Sequence, residues 1–585
     1  MRTLVFCLAI LFLSIHTYAQ TPGCEWVNYP TGSGSDNSYT YASAYDKYGN
    51  SFVIGVYGGV TGVLDIDPSA NIFAVTGSGL FVAKYDPAGS VLWLAPIDIG
   101  LLGPQSGIAL PSIACDSVGD VYITGGANSV TLDFDHVSTS NSPLVTAGGA
   151  DMFLAKYNGS GVPQWSFLVG AGGNEEGQTI VCEGSKVYVG GFYGSNTDFD
   201  PSSGTYTPVV PISCTAGFIA MYTSAGQFIW QNSLQGVNSA AFGNCTVMSL
   251  AIDKNLQILA TGIFWGTVDF SPVANFDTLA VYQAGISSPY LAKYDSTGAF
   301  IFAKLLANHT GTGFGYVAVD NASNIILGGY FDGVMDFDLG AGVVMDTVNN
   351  SGHLDCFIAK YDNAGNYLWH GQFGSTDIDY IRDISIDGNN NILVGGGTRG
   401  ILDVDMGPAV FNTGVNGNCS GCDDGFVSKY TSSGQLLLGF SVSAFANDGV
   451  WAVECFGDKF SATGLYSGTI DFDPSADTLI VAPLVTNGMN YFHAQYFDST
   501  FISGIEPAGV LAPAIRIYPN PCGDYFQVDN FAEYARYEII NNAGQVVRFA
   551  KSTQRIDVRE LAAGAYVVVF TTADGVMSRA PFVKD

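Results

Sequence analysis

Short runs of alternating apolar and polar residues, separated by glycine-containing turns, fill the chain from about residue 24 to residue 500. Residues 112–115, 121–124, 153–157 and 164–165 give one clear set of four such runs. A period of two, with many β-branched and aromatic side chains, predicts strands, and the glycine-terminated turns between them predict antiparallel hairpins. The chain is therefore predicted to be all-β, built from units of four strands.

The four-strand unit occurs seven times. An apolar-x-x-x-Tyr run with Lys before Tyr in most copies marks each unit, at residues 81–85, 153–157, 218–222, 290–294, 357–361, 426–430 and 492–496. An Asp-apolar-Asp element precedes each copy, with Ser271 in place of the second Asp in the fourth repeat. Asp67 and Asp473 lie 406 residues apart over six intervals, or about 68 residues per repeat. Four strands in each of seven repeats predict the blades of a β-propeller.

The two ends of the repeat array complement each other. Most repeats end in a strand that contains tryptophan, whereas the seventh has only a weak equivalent at residues 501–502. A strand with Trp26 precedes the first repeat and has no partner of its own. An N-terminal strand that completes the last blade would remove the exposed edges of an open array. We therefore predict a closed seven-bladed propeller over residues 20–504.

The repeat resembles a known family. The Asp-x-x-Gly-Asn turn at residues 46–50, the Thr-Gly-Gly strand ends and the Phe-Val-Ala-Lys-Tyr run are similar to the bacterial SBBP-type β-propeller repeat of exported proteins. This resemblance implies a scaffold and does not imply an activity.

The first 19 residues predict export. They combine Arg2, an apolar run over residues 4–13 and small residues before a cleavage site after Ala19, which is typical of a secretory signal peptide. No later apolar run is long enough for a transmembrane helix. Removal of the signal leaves ten of the eleven cysteines, and the pair Cys419 and Cys422 predicts a local disulfide rather than a metal site.

A change of composition after a linker at residues 505–513 marks a second domain, residues 514–585, for which a small β-sandwich is predicted. Pro-Asn-Pro, Gly-Gln-Val-Val, Ile-Asp-Val, Leu-x-x-Gly-x-Tyr and a terminal Phe-Val-Lys follow one another there. The motif residues are Pro519, Asn520, Pro521, Gly544, Gly564, Tyr566 and Lys584.

These motifs resemble the type A sorting domain of the type IX secretion system. The resemblance implies handling by the type IX machinery and its sortase, followed by attachment to lipopolysaccharide at the surface of a Gram-negative bacterium or by release. An ordinary adhesive sandwich is the alternative.

The Asp-apolar-Asp elements are the main candidates for chemistry. Two carboxylates on one side of an extended segment suit calcium, but each Asp equally suits capping of its own turn, which we favour because no Asp-x-Asp-x-Asp-Gly loop is present. The calcium candidates are Asp65, Asp67, Asp133, Asp135, Asp198, Asp200, Asp336, Asp338, Asp403, Asp405, Asp471 and Asp473.

Net charge and motifs narrow the function. The excess of 31 negative charges repels phosphate backbones and excludes nucleic acid as a partner. No catalytic Gly-x-Ser-x-Gly, His-Glu-x-x-His or phosphate-loop motif is present. We therefore predict a secreted or surface-attached scaffold that binds glycans or proteins on its loop-rich face. The alternative is a secreted hydrolase or lyase that acts on polysaccharides.

Overall fold

The structure, a computed structural model, describes most of the chain. It covers residues 22–498 and 517–584 except residues 33–36, 70–71, 99–107, 129, 137–142, 195, 209–214, 238–243, 272–276, 282–286, 309–312, 349–352, 414–420, 445, 476, 485–487, 519–521, 529–535, 542–545, 552 and 572–576. The described residues form strands, bridges and turns and contain no helix, which confirms the all-β prediction. The predicted signal peptide and linker lie outside the described residues. The chain divides into two compact units, residues 1–500 and 501–585.

The larger unit contains seven antiparallel sheets with four main strands each, numbered here by the order of their first strands. Sheet 1 consists of Ser38–Tyr45, Ser51–Asp65, Ala74–Tyr85 and Val91–Asp98. Sheet 2 consists of Ile108–Cys115, Val121–Asn128, Ala150–Tyr157 and Pro163–Val169. Sheet 3 consists of Glu176–Glu183, Lys186–Tyr193, Ala216–Thr223 and Phe228–Gly236. Sheet 4 consists of Cys245–Ile252, Ile258–Phe264, Ser288–Tyr294 and Phe300–Leu305. Sheet 5 consists of Gly313–Val319, Ile325–Phe331, Asp355–Tyr361 and Tyr367–Phe373. Sheet 6 consists of Asp379–Ile386, Ile392–Thr398, Asp424–Tyr430 and Leu436–Val442. Sheet 7 consists of Gly449–Phe456, Lys459–Tyr466, Asn490–Phe497 and Gly23–Asn28.

Short strands lie in the connections at the sheet ends. They are Thr31–Gly32, Thr131–Leu132, Leu144–Val145, Thr267–Asp269, Thr278–Ala280, Ala307–Asn308, Val334–Asp336, Met345–Thr347, Leu402–Asp403, Asn412–Thr413, Ile470–Asp471 and Ile480–Val481. The strands of each sheet alternate in direction. Two connections therefore lie at the same end of a sheet: the one between its second and third strands, and the one from its fourth strand to the first strand of the following sheet. We call this end the loop end.

The fourth strand of sheet 7 comes from the beginning of the chain. Gly23–Asn28 pairs antiparallel with Asn490–Phe497, with Val27 opposite Ala494. The first strand of each sheet contacts the first strand of the following sheet, and that of sheet 7 contacts that of sheet 1. All seven first strands line a central cavity of about 410 Å³.

Tryptophan and glycine connect neighbouring sheets. The Trp93 indole of sheet 1 donates a hydrogen bond of 3.1 Å to the carbonyl of Gly159 in sheet 2 and lies against Gly161. Gly161 has a φ of 80°, a conformation that favours glycine, and a Cβ at this position would lie 2.7 Å from the indole. The turn glycine is thus required for both its backbone conformation and its contact.

Buried ion pairs explain why Lys and Asp recur in the repeats. Lys360 of sheet 5 contacts Asp320 at 2.8 Å, and Lys293 of sheet 4 contacts Asp253 at 3.2 Å. The Asp also accepts amide hydrogen bonds within its own turn, as Asp320 does from Ala322 and Asn324 at 2.8 Å. Each buried lysine charge is therefore paired, which avoids the cost of an isolated buried charge.

The smaller unit has two antiparallel sheets. One consists of Ile517–Tyr518, Tyr525–Val528 and Arg555–Asp557, and the other of Val546–Lys551, Arg536–Asn541, Gly564–Thr571 and Met577–Lys584. Side chains of both sheets, among them Phe526, Ile539 and Phe570, share one apolar core. The unit is therefore a two-layer β structure with its own core.

Candidate functional site

Five first strands of the larger unit each carry one extra residue opposite their partner strand, and in sheets 3 and 4 this residue is Gln178 and Met248. Register shifts between Thr40 and Ala42, between Ile381 and Asp383, and between Val450 and Ala452 leave Tyr41, Arg382 and Trp451 as the bulged residues in sheets 1, 6 and 7. Bulges bend a strand and redirect side chains, and they are frequent beside functional sites. All three residues line the central cavity.

The same three residues also line a second cavity of about 590 Å³ at the loop end of sheets 6, 7 and 1. Its walls include the rings of Tyr39, Tyr41, Tyr57, Tyr380 and Trp451. We call this space the aromatic cavity. It combines several aromatic rings with a few polar groups, which is the usual composition of a small-ligand site.

The guanidinium of Arg382 lies between two of these rings. Its central carbon is 4.1 Å from the ring centre of Trp451 and 4.9 Å from that of Tyr380. The ring of Tyr41 meets Trp451 edge to face, with 5.0 Å between centres and 85° between planes. Contacts of a cation with two aromatic faces, and an edge-to-face ring pair, hold these side chains in fixed positions.

Polar groups from two connections complete the cavity. The Nε atom of Arg399 contacts Oδ1 of Asp423 at 2.6 Å, and the amide of Asp423 donates to Oδ1 of Asn447 at 3.1 Å. Asp448 accepts hydrogen bonds from the amides of Ser467, at 2.8 Å, and Ala444. Burial raises the pKa of Asp448 to about 7. The cavity thus presents an amide, an ion pair and a carboxyl group that gains a proton near neutral pH.

Two acids in the central cavity have no counterpart in the other sheets. Asp383 occupies a position held elsewhere by Ala42, Ser112, Thr179, Ser249, Tyr316 and Ala452. Glu454 occupies one held by Ala44, Ala114, Val181, Ala251, Ala318 and Ser385. Burial raises the pKa of Asp383 to about 7, and burial together with the charge of Asp383 raises that of Glu454 to about 8.

Asp383 joins two sheets, whereas Glu454 is the exceptional acid. Asp383 accepts hydrogen bonds from the amides of Ile384 at 2.9 Å and, across to sheet 7, of Val453 at 3.0 Å. Thr179 and Ser249 make the same bond to the next sheet, to the amides of Leu250 and Val317 at 3.2 Å. A structural bond between sheets therefore accounts for Asp383, while Glu454 replaces a small or apolar residue.

Glu454→Gln is expected to stabilise the protein at pH 9 by about 2 kcal/mol and to have little effect at pH 5. A carboxyl group whose pKa rises from 4.5 to about 8 on folding binds its proton more tightly in the folded state. Its contribution to stability is therefore full below pH 4.5 and is lost as the pH rises through 8. Urea unfolding at both pH values measures the difference. The exposed Glu183, on the first strand of sheet 3, gives the control Glu183→Gln, and an equal effect of Glu454→Gln at both pH values would contradict the prediction.

The structure places the six pairs of calcium candidates in separate connections, one pair in each sheet except sheet 4. The first Asp of a pair accepts two amide hydrogen bonds through one oxygen, as Asp336 does from Asp338 at 3.0 Å and from Val344 at 2.8 Å. Asp65, Asp198, Asp403 and Asp471 do the same. In five pairs the second Asp accepts a hydrogen bond from the backbone amide of the residue two positions later, as Asp338 does from Gly340 at 2.7 Å. Asp133 accepts from the amide of Asp135 at 2.9 Å.

Calcium binding by these loops stays a prediction. Within the described ranges no three His, Cys, Asp or Glu side chains are grouped so that they could hold a metal ion. Because amides already occupy one oxygen of each first Asp, we expect the melting temperature to stay unchanged after dialysis against EDTA. A fall that CaCl₂ restores and MgCl₂ does not restore would establish calcium sites.

The sorting-motif residues are only partly described. Gly564 and Tyr566 lie on an inner strand that pairs with the edge strand of Lys584. Gly564 stands opposite Lys584, and the Tyr566 ring stacks on Phe582 with 5.5 Å between ring centres. Pro519, Asn520, Pro521 and Gly544 lie outside the described residues. Cys422 is disulfide-bonded, and its partner also lies there.

Sequence reasoning missed Tyr41, Arg382 and Trp451. The only signal in the sequence was a difference between repeats at one position. Three repeats carry Tyr, Arg or Trp where two others carry Gln178 and Met248.

Comparison with known families identifies the C-terminal segment. Residues 516–584 match the secretion system C-terminal sorting domain. The match confirms the sorting-domain part of the sequence resemblance and indicates export by the type IX secretion system to the cell surface or the medium. No helix in the described ranges has the length and apolar character needed to cross a bilayer. The SBBP resemblance of the repeats stays a prediction.

The chain also has more distant similarities. The chain is 26% identical over 426 residues, 64% of its length, to an uncharacterized WD repeat-containing protein of Acanthamoeba polyphaga mimivirus, and it spans 29% of that relative. A protein of unknown function from Dyadobacter fermentans aligns over 80% of this chain and 99% of its own, with 9% identity and a TM-score of 0.35. The extracellular domain of a hybrid two component system from B. thetaiotaomicron aligns over 97% of this chain and 99% of its own, with 11% identity and a TM-score of 0.22.

Proposed function

We propose that the protein is an exported scaffold whose larger unit is a closed seven-bladed β-propeller and whose aromatic cavity binds a glycan. The Arg382 guanidinium between the rings of Trp451 and Tyr380 is the observation that carries the binding function. Sugar rings have apolar C–H faces that pack on aromatic rings, and their hydroxyl groups hydrogen-bond to amides, carboxylates and guanidinium groups. The aromatic cavity offers both kinds of contact.

Closure of the propeller is supported by contacts at the junction of sheets 7 and 1. The Trp26 indole donates to the carbonyl of Pro87 at 3.2 Å and lies against Gly89, and the Asn28 amide donates to the Gly89 carbonyl at 2.8 Å. These contacts match those of Trp93 on Gly161 between sheets 1 and 2. WD repeats form propeller blades, so the name of the mimivirus relative agrees with this assignment.

The sorting domain gives the scaffold its destination. The family of residues 516–584 supports handling by the type IX machinery. We propose that its sortase then attaches the protein to lipopolysaccharide or releases it. A glycan-binding body held at the cell surface would retain polysaccharide there. The partners of the propeller are therefore glycans outside the cell, with proteins as the alternative ligand.

Trp451→Ala is expected to weaken glycan binding at least tenfold, which corresponds to about 1.4 kcal/mol. The substitution removes the ring that faces Arg382 and contacts Tyr41. A glycan array probed with the secreted protein, followed by titration of the best saccharide, measures the effect. Tyr48 is 66% exposed and does not line the cavity, so Tyr48→Ala is the matched control. Equal binding by Trp451→Ala and the control would contradict the proposal.

A hydrolase or lyase that acts on polysaccharides is the second candidate. It is favoured by Glu454, a half-buried acid with a raised pKa in the cavity that Trp451 also lines, because general acids need such a pKa. Asp383, the neighbouring acid, is bonded to two backbone amides, which suits a structural role better than catalysis. Release of reducing or unsaturated ends from a bound polysaccharide, abolished in Glu454→Gln, would establish the enzyme.

A further inference from the structure

Within the described ranges, Arg382 is a cation without a carboxylate partner. The chain has 52 acidic and 21 basic residues. Lys293 and Lys360, in the repeat motif, and Arg399, in the same cavity, each contact a carboxylate. Arg382 makes no ion pair with any carboxylate in the part of the chain that the structure describes. Arg382 is half-buried and lines the aromatic cavity, so its charge is available to a ligand of opposite charge.

Four tyrosine side chains lie near Arg382. Burial raises the pKa of Tyr41 and Tyr380 to about 12 and also raises the pKa of Tyr316 and Tyr330, so all four phenols are neutral at physiological pH. The charge of Arg382 opposes this increase in each of them, which places all four near the guanidinium. The cation therefore lies among neutral rings.

We propose that the aromatic cavity selects an acidic sugar, whose carboxylate binds the guanidinium of Arg382, so that the ligand is a polysaccharide containing uronic acid. The proposal rests on the glycan binding proposed above and names its substrate class. The guanidinium lies close to the rings of Trp451 and Tyr380 and interacts with the Tyr380 hydroxyl, and its five N–H groups form a planar fork. A carboxylate accepts two parallel hydrogen bonds from such a fork, while the sugar ring packs on the neighbouring aromatic rings.

The acids of the cavity leave this position to the ligand. Asp423 is paired with Arg399 at 2.6 Å, and Asp448 is bonded to backbone amides and has a pKa near 7. Asp383, next to Arg382 in sequence, is bonded to the amides of Ile384 and Val453. The net charge of −31 repels an acidic polysaccharide at long range, but salt screens that repulsion beyond about 8 Å.

Titration of the secreted protein with trigalacturonate and with its methyl ester tests the proposal, because esterification removes the negative charge of each carboxyl group and adds only a methyl group. We expect the acid to bind at least about tenfold more tightly than the ester, with an affinity that falls as NaCl is added. Arg382→Gln is expected to remove this preference, so that the acid and the ester bind the variant with affinities within about threefold of each other. Arg382→Lys, which keeps the charge and loses the fork, is expected to bind the acid with intermediate affinity.

Other outcomes separate the two levels of the proposal. Equal binding of acid and ester by the wild-type protein would overturn the choice of a uronic acid and leave glycan binding intact, and this comparison needs no variant. Tighter binding of a chondroitin sulfate tetrasaccharide that lacks free uronate carboxylates would assign the position to sulfate and would also overturn it. Failure of the acid, the ester and every neutral saccharide of the array to bind would overturn glycan binding itself.

Discussion

Trp26→Ala is expected to lower the free energy of unfolding of the larger unit by about 3 kcal/mol, as much as Trp93→Ala does. Both indoles cross to the next sheet, where they hydrogen-bond to a turn carbonyl and cover a turn glycine, Gly89 with a φ of 84° or Gly161 with a φ of 80°. If the N-terminal strand closes the ring, the contacts between sheets 7 and 1 should contribute as much stability as those between sheets 1 and 2. Deletion of residues 22–28 is expected to cost far more, because it exposes the edge of Asn490–Phe497.

Urea unfolding followed by tryptophan fluorescence measures these costs, since all seven tryptophans precede residue 452 and report on the larger unit. Trp93→Ala is the matched control, because it removes the same contact within the array. A cost below about 0.5 kcal/mol for Trp26→Ala beside a full cost for Trp93→Ala would show that the terminal strand is dispensable.

A chain that ends at residue 513 is expected to fold but to remain in the periplasm. It lacks the whole segment that matches the sorting domain, residues 516–584. Surface labelling of whole cells and blotting of the culture medium measure export. Lys584→Ala tests the terminal motif, and Lys551→Ala, an exposed lysine of the same small unit outside the motif, is its control. Normal surface levels of the shortened chain would contradict the sorting assignment.

Features that depend on local pattern could be predicted from the sequence. Strand alternation and glycine turns predict hairpins because both are set by neighbouring residues. The isolated strand with Trp26 was recognisable because its tryptophan matches those that end other repeats. The capping role of Asp336 was one of two predicted alternatives, and its amide contacts two and eight residues later follow from the length of its own loop.

The aromatic cavity could not be predicted in the same way. Tyr41, Arg382 and Trp451 reach it because each occupies a bulge, and a single extra residue is invisible in an alternating pattern. Their neighbours come from sheets that are hundreds of residues apart in the chain, so only the arrangement of sheets 6, 7 and 1 brings them together. Glu454 was hidden among 52 acidic residues until the register showed that its equivalents are small or apolar.

The position of a bound saccharide would show directly whether the aromatic cavity is the glycan-binding site. A crystal structure of the secreted protein with the tightest-binding saccharide of the array is predicted to show the sugar in the aromatic cavity, with one ring on Trp451 and a polar group at the guanidinium of Arg382. A saccharide bound at any other surface, with the rings of Tyr380 and Trp451 left uncovered, would contradict the account.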